Sequence, residues 1–239
     1  METRISYWTL SRSPYYSFIF VLPFLAMYEV MVLFLNRDQM ISLRNGADVL
    51  MRQFLSMFGE WGFYVLSISY ILIFLFVFLI QKKDWNITII KSDYLLGMLA
   101  EGTVWGLALY FFMRYIPVFL MFPSGKELFQ QITLAIGAGL YEELVFRVIS
   151  ITAVFHLLRL IFQWDKQFSL IVSIIISAII FSSFHFVGPY GDVFTSSLFI
   201  YRSLAGILLG VIYVVRGFGI VSYAHMIYDF IVIIAMTTS

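Results

Sequence analysis

Six ionisable side chains stand in the second half of this sequence, within segments that are otherwise strongly apolar. They are Glu142, Glu143, Arg147, His185, His225 and Asp229. The first three belong to "EELVFR", His185 ends "FSSFH", and the last two bound "HMIYD". A charge at the bilayer centre costs about 2.5–3.5 kcal/mol on insertion scales, so such residues generally face the interior of a helix bundle and serve a function there. The sequence therefore predicts a polar site at membrane depth.

Helical spacing divides these residues into pairs. Glu143 and Arg147 are four residues apart, so on a helix they share a face and can form an ion pair. Glu142 is rotated by about 100° from Glu143 on an α-helix and has no such partner. His225 and Asp229 are also four residues apart, so the carboxylate could orient the imidazole and favour its protonated form.

Two kinds of hydrolysis are compatible with these residue types. Glu142 could act as a general base, His185 could position the water, and His225 could stabilise an oxyanion, which together would hydrolyse an amide. Alternatively, Glu142, His185 and His225 could bind a divalent metal such as zinc, with an open position for water. The sequence leaves both mechanisms open.

The composition predicts an integral membrane protein rather than a soluble one. Of the 239 residues, 62% are hydrophobic and 12% are charged, whereas soluble domains have roughly 25% charged residues. The net charge of +1 gives no reason to expect a nucleic-acid partner. The chain has no cysteine, which excludes a cysteine nucleophile and thiolate metal ligands.

The apolar segments predict an all-α, polytopic transmembrane bundle of about seven helices that forms one domain over residues 1–239. Each helix needs about 20 mostly apolar residues. The predicted spans are residues 17–35, 62–80, 95–112, 129–158, 168–186, 198–215 and 218–236. Residues 41–58 combine charges with helical-period apolar residues and predict an amphipathic helix that lies on the surface or is partly re-entrant. The candidate site falls in the carboxy-terminal half, about residues 128–236.

Three other ionisable residues in or near these spans are expected to be structural. Glu29 and Glu101 are single acids in the first and third spans, and we expect them to bridge helices. His156 stands near the end of the fourth span, and we expect it to lie at the membrane interface.

The three motifs together resemble those of a known family. "EELVFR" has the pattern EExxxR, "FSSFH" the pattern FxxxH, and "HMIYD" the pattern HxxxN/D. In this order on late helices they resemble the CPBP (Abi or CAAX prenyl protease type) intramembrane proteases. The resemblance implies that Glu142 activates water, His185 helps to hold it and His225 stabilises the oxyanion. It also implies that Glu143 pairs with Arg147 and that Phe181 packs beneath His185.

The residue at position 229 departs from the pattern of many members, which have asparagine there. An amide can donate a hydrogen bond to an oxyanion, whereas an ionised carboxylate cannot. We therefore expect Asp229 to orient a protonated His225 rather than to contact the oxyanion.

The resemblance implies an intramembrane endopeptidase that cuts membrane-associated proteins or peptides, with CAAX-type processing of carboxy termini among the reactions considered. Its partners would be that substrate and the lipid bilayer, in a plasma membrane of bacterial type. Two other classes remain open. An ion-coupled transporter also uses buried Glu, His and Asp, although the sequence shows none of the internal repeats common in transporters. A non-catalytic scaffold or immunity protein of the same fold would gain nothing from three costly polar positions.

Overall fold

The computed structural model describes residues 6–34, 44–57, 72, 79, 90–115, 128–187 and 191–237. Eight helices have defined bounds among these residues. They are α1 (Tyr7–Ser11), α2 (Pro14–Phe34), α3 (Gly46–Ser56), α4 (Ser92–Met113), α5 (Leu128–Ile161), α6 (Lys166–Phe184), α7 (Ser196–Arg216) and α8 (Phe218–Thr237). The predicted all-α class is confirmed.

Six of these helices, α2 and α4 to α8, are long and apolar enough to cross a membrane. Each coincides with a predicted span to within three residues at either end, since the apolar stretches themselves set the helix lengths. The predicted span at residues 62–80 lies, except for Leu72 and Leu79, outside the described residues. The structure therefore tests the predicted bounds of six of the seven spans.

Close contacts between helix backbones bring α8 against α4 and α5. A Cβ atom added to Gly106 on α4 would lie 2.8 Å from the Ala224 carbonyl oxygen of α8. A Cβ atom added to Gly139 on α5 would lie 2.5 Å from the Ser222 carbonyl oxygen. Small residues allow this approach in membrane bundles. The close packing of α8 on α5 places His225 directly beside the "EELVFR" segment.

The middle of α5, Ala138–Ile151, is π-helical, with hydrogen bonds from residue i to i+5. The sequence-based geometry assumed an α-helix here, so the predicted rotation of about 100° between the two glutamates does not apply. Glu143 and Arg147 nevertheless meet, with 3.1 Å between Oε2 and Nε. Such π-helical segments are rare and are often found at functional sites.

The helix predicted near residues 41–58 is present as α3, but its polar side faces the bundle. Asp48 and Arg52 are buried, whereas Leu50 and Phe54 are exposed. The predicted amphipathic helix is therefore present, with its apolar side outward and its polar side against the bundle. The polar side is held there by a partly buried carboxylate on another helix: Glu29 of α2 accepts hydrogen bonds from Arg52 at 2.9 Å and from Arg44 at 3.2 Å.

Glu101 also bridges helices, as expected. Its carboxylate accepts hydrogen bonds from Arg216 Nη2 on α7 and from the Tyr7 hydroxyl on α1, both at 2.7 Å. Glu29 likewise joins α2 to α3. Both carboxylates are partly buried, and both form ion pairs with arginines.

Candidate active site

A cavity of about 340 Å³ lies among α5, α6, α7 and α8, with the start of α3 at its wall. Its lining includes all four residues that the sequence suggested as catalytic: Glu142, His185, His225 and Asp229. The remaining wall is largely apolar. It includes Leu134, Ala135, Leu209, Val232 and Ile233. The three helices that carry the motifs thus bring their polar side chains to one cavity.

Glu142 is held in the cavity wall by a residue from α3 and faces a histidine from α6. Its side chain is buried, with the residue 6% exposed. One oxygen, Oε1, accepts a hydrogen bond from Asn45 Nδ2 at 2.7 Å. The other, Oε2, lies 3.9 Å from His185 Nε2. This second separation exceeds hydrogen-bond distance and is of the kind that a water molecule commonly bridges.

His185 follows the last residue of α6 and is fixed by its own helix. Its Nδ1 lies 2.8 Å from the Phe181 carbonyl oxygen. A carbonyl only accepts, so Nδ1 carries a proton and Nε2 is directed toward Glu142. The imidazole also contacts the Phe181 ring edge to face, with 4.7 Å between the ring centroids.

The carboxylate that hydrogen-bonds to His225 is Glu143. The distance from His225 Nδ1 to Glu143 Oε1 is 2.8 Å, whereas Nε2 lies 3.8 Å from Asp229 Oδ2. Spacing along α8 alone predicts Asp229 in this role. The closer carboxylate, Glu143, is 82 residues away in the chain and meets His225 because α8 packs closely on α5.

Arg147 completes a buried chain of charges behind the cavity. Its guanidinium lies 3.1 Å from Glu143 Oε2 and stacks 4.7 Å from the centroid of the Phe181 ring. Its Nη1 and Nη2 atoms have no hydrogen-bond acceptor within the part of the chain that the structure describes. Arg147, Glu143 and His225 therefore form a continuous link from α5 to α8.

Asn45 also belongs to this site, although the sequence does not predict that. It caps α3, where its Oδ1 accepts a hydrogen bond from the Ala47 amide at 2.9 Å. Its backbone amide donates to the Tyr28 hydroxyl at 3.2 Å, and that hydroxyl donates to Asp48 at 2.9 Å. The sequence "NGAD" carries an N-cap signal, but nothing local indicates a contact with Glu142, which is 97 residues away.

The donor atoms as placed do not fit the zinc site that the sequence left open. Within the described ranges, no group of three His, Cys, Asp or Glu side chains is arranged to hold a metal ion. Asn45 engages one oxygen of Glu142, and Phe181 and Glu143 engage the Nδ1 atoms of His185 and His225. These contacts fix all three side chains at the wall of the cavity.

The six apolar helices and the cavity between them define an integral membrane protein with ionisable side chains in its interior. Residues 124–231 match the model of the Rce1-like family, the type II CAAX prenyl endopeptidases. This match confirms the resemblance seen in the three motifs, and it covers the segment that carries the cavity. No curated protein and no solved structure matches the chain.

Proposed function

We propose that this protein is an intramembrane endopeptidase in which Glu142 activates a water molecule to cut a membrane-anchored protein near its carboxy terminus. One observation carries the proposal. A buried carboxylate is fixed by Asn45 through one oxygen, while its other oxygen faces His185 across 3.9 Å at the wall of a cavity. In this arrangement Glu142 can take a proton from a bound water molecule while the water oxygen attacks the carbonyl carbon of the substrate.

In the proposed reaction the water binds between Glu142 Oε2 and His185 Nε2. The water oxygen attacks the scissile carbonyl carbon while Glu142 takes one of its protons. The resulting tetrahedral intermediate carries its negative charge on the former carbonyl oxygen. When the C–N bond breaks, Glu142 returns the proton to the departing amine. One peptide bond is thereby replaced by a carboxyl group and an amine.

His225 is assigned to the oxyanion. Because Glu143 accepts from Nδ1, the Nε2 atom remains available on the cavity side, and a protonated imidazole can donate Nε2–H to the developing charge. Asp229 lies near this atom and cannot donate when ionised. We therefore assign Asp229 a positioning role, with Glu143 and Arg147 supporting the imidazole from the other side.

The substrate class rests on the family and on the wall of the cavity. The family model describes endopeptidases that act on CAAX prenyl proteins. The apolar wall formed by residues such as Leu134, Leu209 and Val232 suits aliphatic side chains next to the scissile bond. The transporter and scaffold alternatives predict no hydrolysis at all.

A direct assay tests this function. The protein is reconstituted in lipid nanodiscs with a farnesylated peptide that ends in a CAAX sequence, and we expect release of the carboxy-terminal tripeptide, detected by mass spectrometry. The same peptide without the farnesyl group is the matched control for membrane anchoring. If neither this peptide nor a panel of other lipid-anchored peptides were cut by folded protein, the endopeptidase proposal would be rejected.

Asn45 offers a second, more specific prediction. In Asn45→Ser the hydroxyl can still cap α3, but it is too short to reach Glu142. Hydrogen bonds to charged groups contribute about 1.5–3 kcal/mol, so kcat is expected to fall by about tenfold to a hundredfold. KM should change little, and thermal unfolding, whose temperature the loss of the same hydrogen bond also lowers, verifies that the variant is folded. A wild-type kcat in Asn45→Ser would show that the 2.7 Å contact has no part in positioning Glu142.

A further inference from the structure

A second cavity, of about 430 Å³, lies toward the opposite end of the bundle from the catalytic cavity. The two can be compared along α5. Residues from Gln131 to Glu142 line the catalytic cavity, whereas residues from Leu144 to His156 line the second one. The second cavity is completed by the starts of α2 and α6 and by the junction of α7 and α8. It is therefore a separate feature.

The mouth of the second cavity is basic. Arg12, His156 and Lys166 contribute to its lining, and all three are exposed. The lining contains no aspartate or glutamate. Neither Arg12 nor Lys166 forms an ion pair with any carboxylate in the described ranges, whereas Arg44, Arg52, Arg147, Arg202 and Arg216 all do. Among the described residues these two cations thus have no carboxylate within ion-pair distance, although Asp165, the N-cap of α6, is next to Lys166 in the chain.

The depth of the same cavity is apolar, with one polar exception. Phe18, Val148, Leu170 and Phe218 form much of its wall. Ser17 also belongs to the lining, is only 1% exposed, and its hydroxyl has no hydrogen-bond partner among the described residues. Buried hydroxyls are normally paired. An apolar slot with a cationic mouth and an unpaired hydroxyl is complementary to an anionic amphiphile.

Neighbouring aromatic residues indicate that this mouth lies at the depth of lipid headgroups. Trp8 is 60% exposed, and the Arg216 guanidinium stacks 3.8 Å from the centroid of its ring. Trp164 lies just before α6, in ring contact with the exposed Phe162 and Phe168. Tryptophan is enriched at the membrane interface because its ring is amphipathic. Arg12 and Lys166 would then lie at the level of lipid phosphates.

We propose that the second cavity binds an anionic glycerophospholipid. The phosphate lies between Arg12 and Lys166, and one acyl chain enters the slot along Phe18, Val148 and Leu170. The Ser17 hydroxyl donates to an ester oxygen of the lipid. Basic pockets between membrane helices recognise anionic headgroups in this way. The site is independent of the proteolytic reaction and would bind lipid in an inactive enzyme as well.

The test compares two lipids with identical acyl chains, phosphatidylglycerol and phosphatidylcholine, by native mass spectrometry of the purified protein titrated with each. We expect one phosphatidylglycerol to be retained in preference to phosphatidylcholine. Each cation near the headgroup contributes about fivefold in affinity, so Arg12→Ala with Lys166→Ala should weaken phosphatidylglycerol binding roughly 25-fold. Arg159→Ala is the matched control, since Arg159 stands near the same end of the bundle but does not line the cavity.

A second variant tests the apolar part. Val148→Trp fills the slot without changing charge and should also reduce binding of phosphatidylglycerol. Thermal unfolding in detergent verifies that each variant is folded. Equal retention of the two lipids would overturn the proposal, and so would wild-type binding by the folded double variant. If Arg159→Ala weakened phosphatidylglycerol binding as much as the double variant does, the lipid would be held by diffuse electrostatic attraction to the surface and not by this site.

Discussion

Replacing Glu142 with glutamine is expected to abolish peptide cleavage while the protein still folds and inserts into the membrane. Glutamine has nearly the same shape, and its carbonyl oxygen can still accept the hydrogen bond from Asn45. It cannot take a proton from water. General-base catalysis contributes about 10²–10⁴-fold to a rate, so we expect kcat to fall by about a thousandfold or more.

The measurement is single-turnover cleavage of the lipid-anchored peptide by the purified variant, with size-exclusion chromatography to verify folding. Asp93→Asn is the matched control, because it makes the same chemical change at an exposed acid in the first turn of α4. The control should retain wild-type kcat. Full activity in Glu142→Gln would mean that another group is the base, and the mechanism proposed here would be wrong.

Much of the fold could be predicted from the sequence because the bilayer fixes how long an apolar helix must be. This physical requirement alone placed six helices to within three residues. It could not orient α3. An amphipathic pattern does not say whether its polar side meets water or a partner within the bundle, and here the partner is Glu29, on a different helix.

The candidate site likewise combines contacts that local spacing in the sequence predicts with contacts between distant residues that it does not predict. The spacing of Glu143 and Arg147 predicted their ion pair, and it forms even though α5 is π-helical there. The contacts of His225 with Glu143 and of Glu142 with Asn45 join residues 82 and 97 positions apart. They depend on how closely whole helices pack, which spacing within one helix does not encode.

Arg147→Ala is expected to be the most destabilising substitution at the site. Arg147 and Glu143 are both buried, and the arginine also stacks on Phe181. Removing it leaves Glu143 with His225 as its remaining charged neighbour. Breaking a buried pair from one side costs about 3–5 kcal/mol. Denaturant unfolding in mixed micelles should therefore show a loss of this size in the free energy of unfolding.

A double variant distinguishes the effect of the unpaired Glu143 charge from the effect of lost side-chain packing. In Glu143→Gln with Arg147→Met neither buried charge remains, and long side chains still fill both positions. Replacing both members of a buried pair is often nearly neutral, so the double variant should recover most of the stability that Arg147→Ala loses. Cleavage should stay low, because the introduced glutamine offers His225 a neutral acceptor and no negative charge to stabilise an imidazolium. Arg147→Ala with wild-type stability, or a double variant no more stable than the single one, would show that the Glu143–Arg147 pair does not hold the site together.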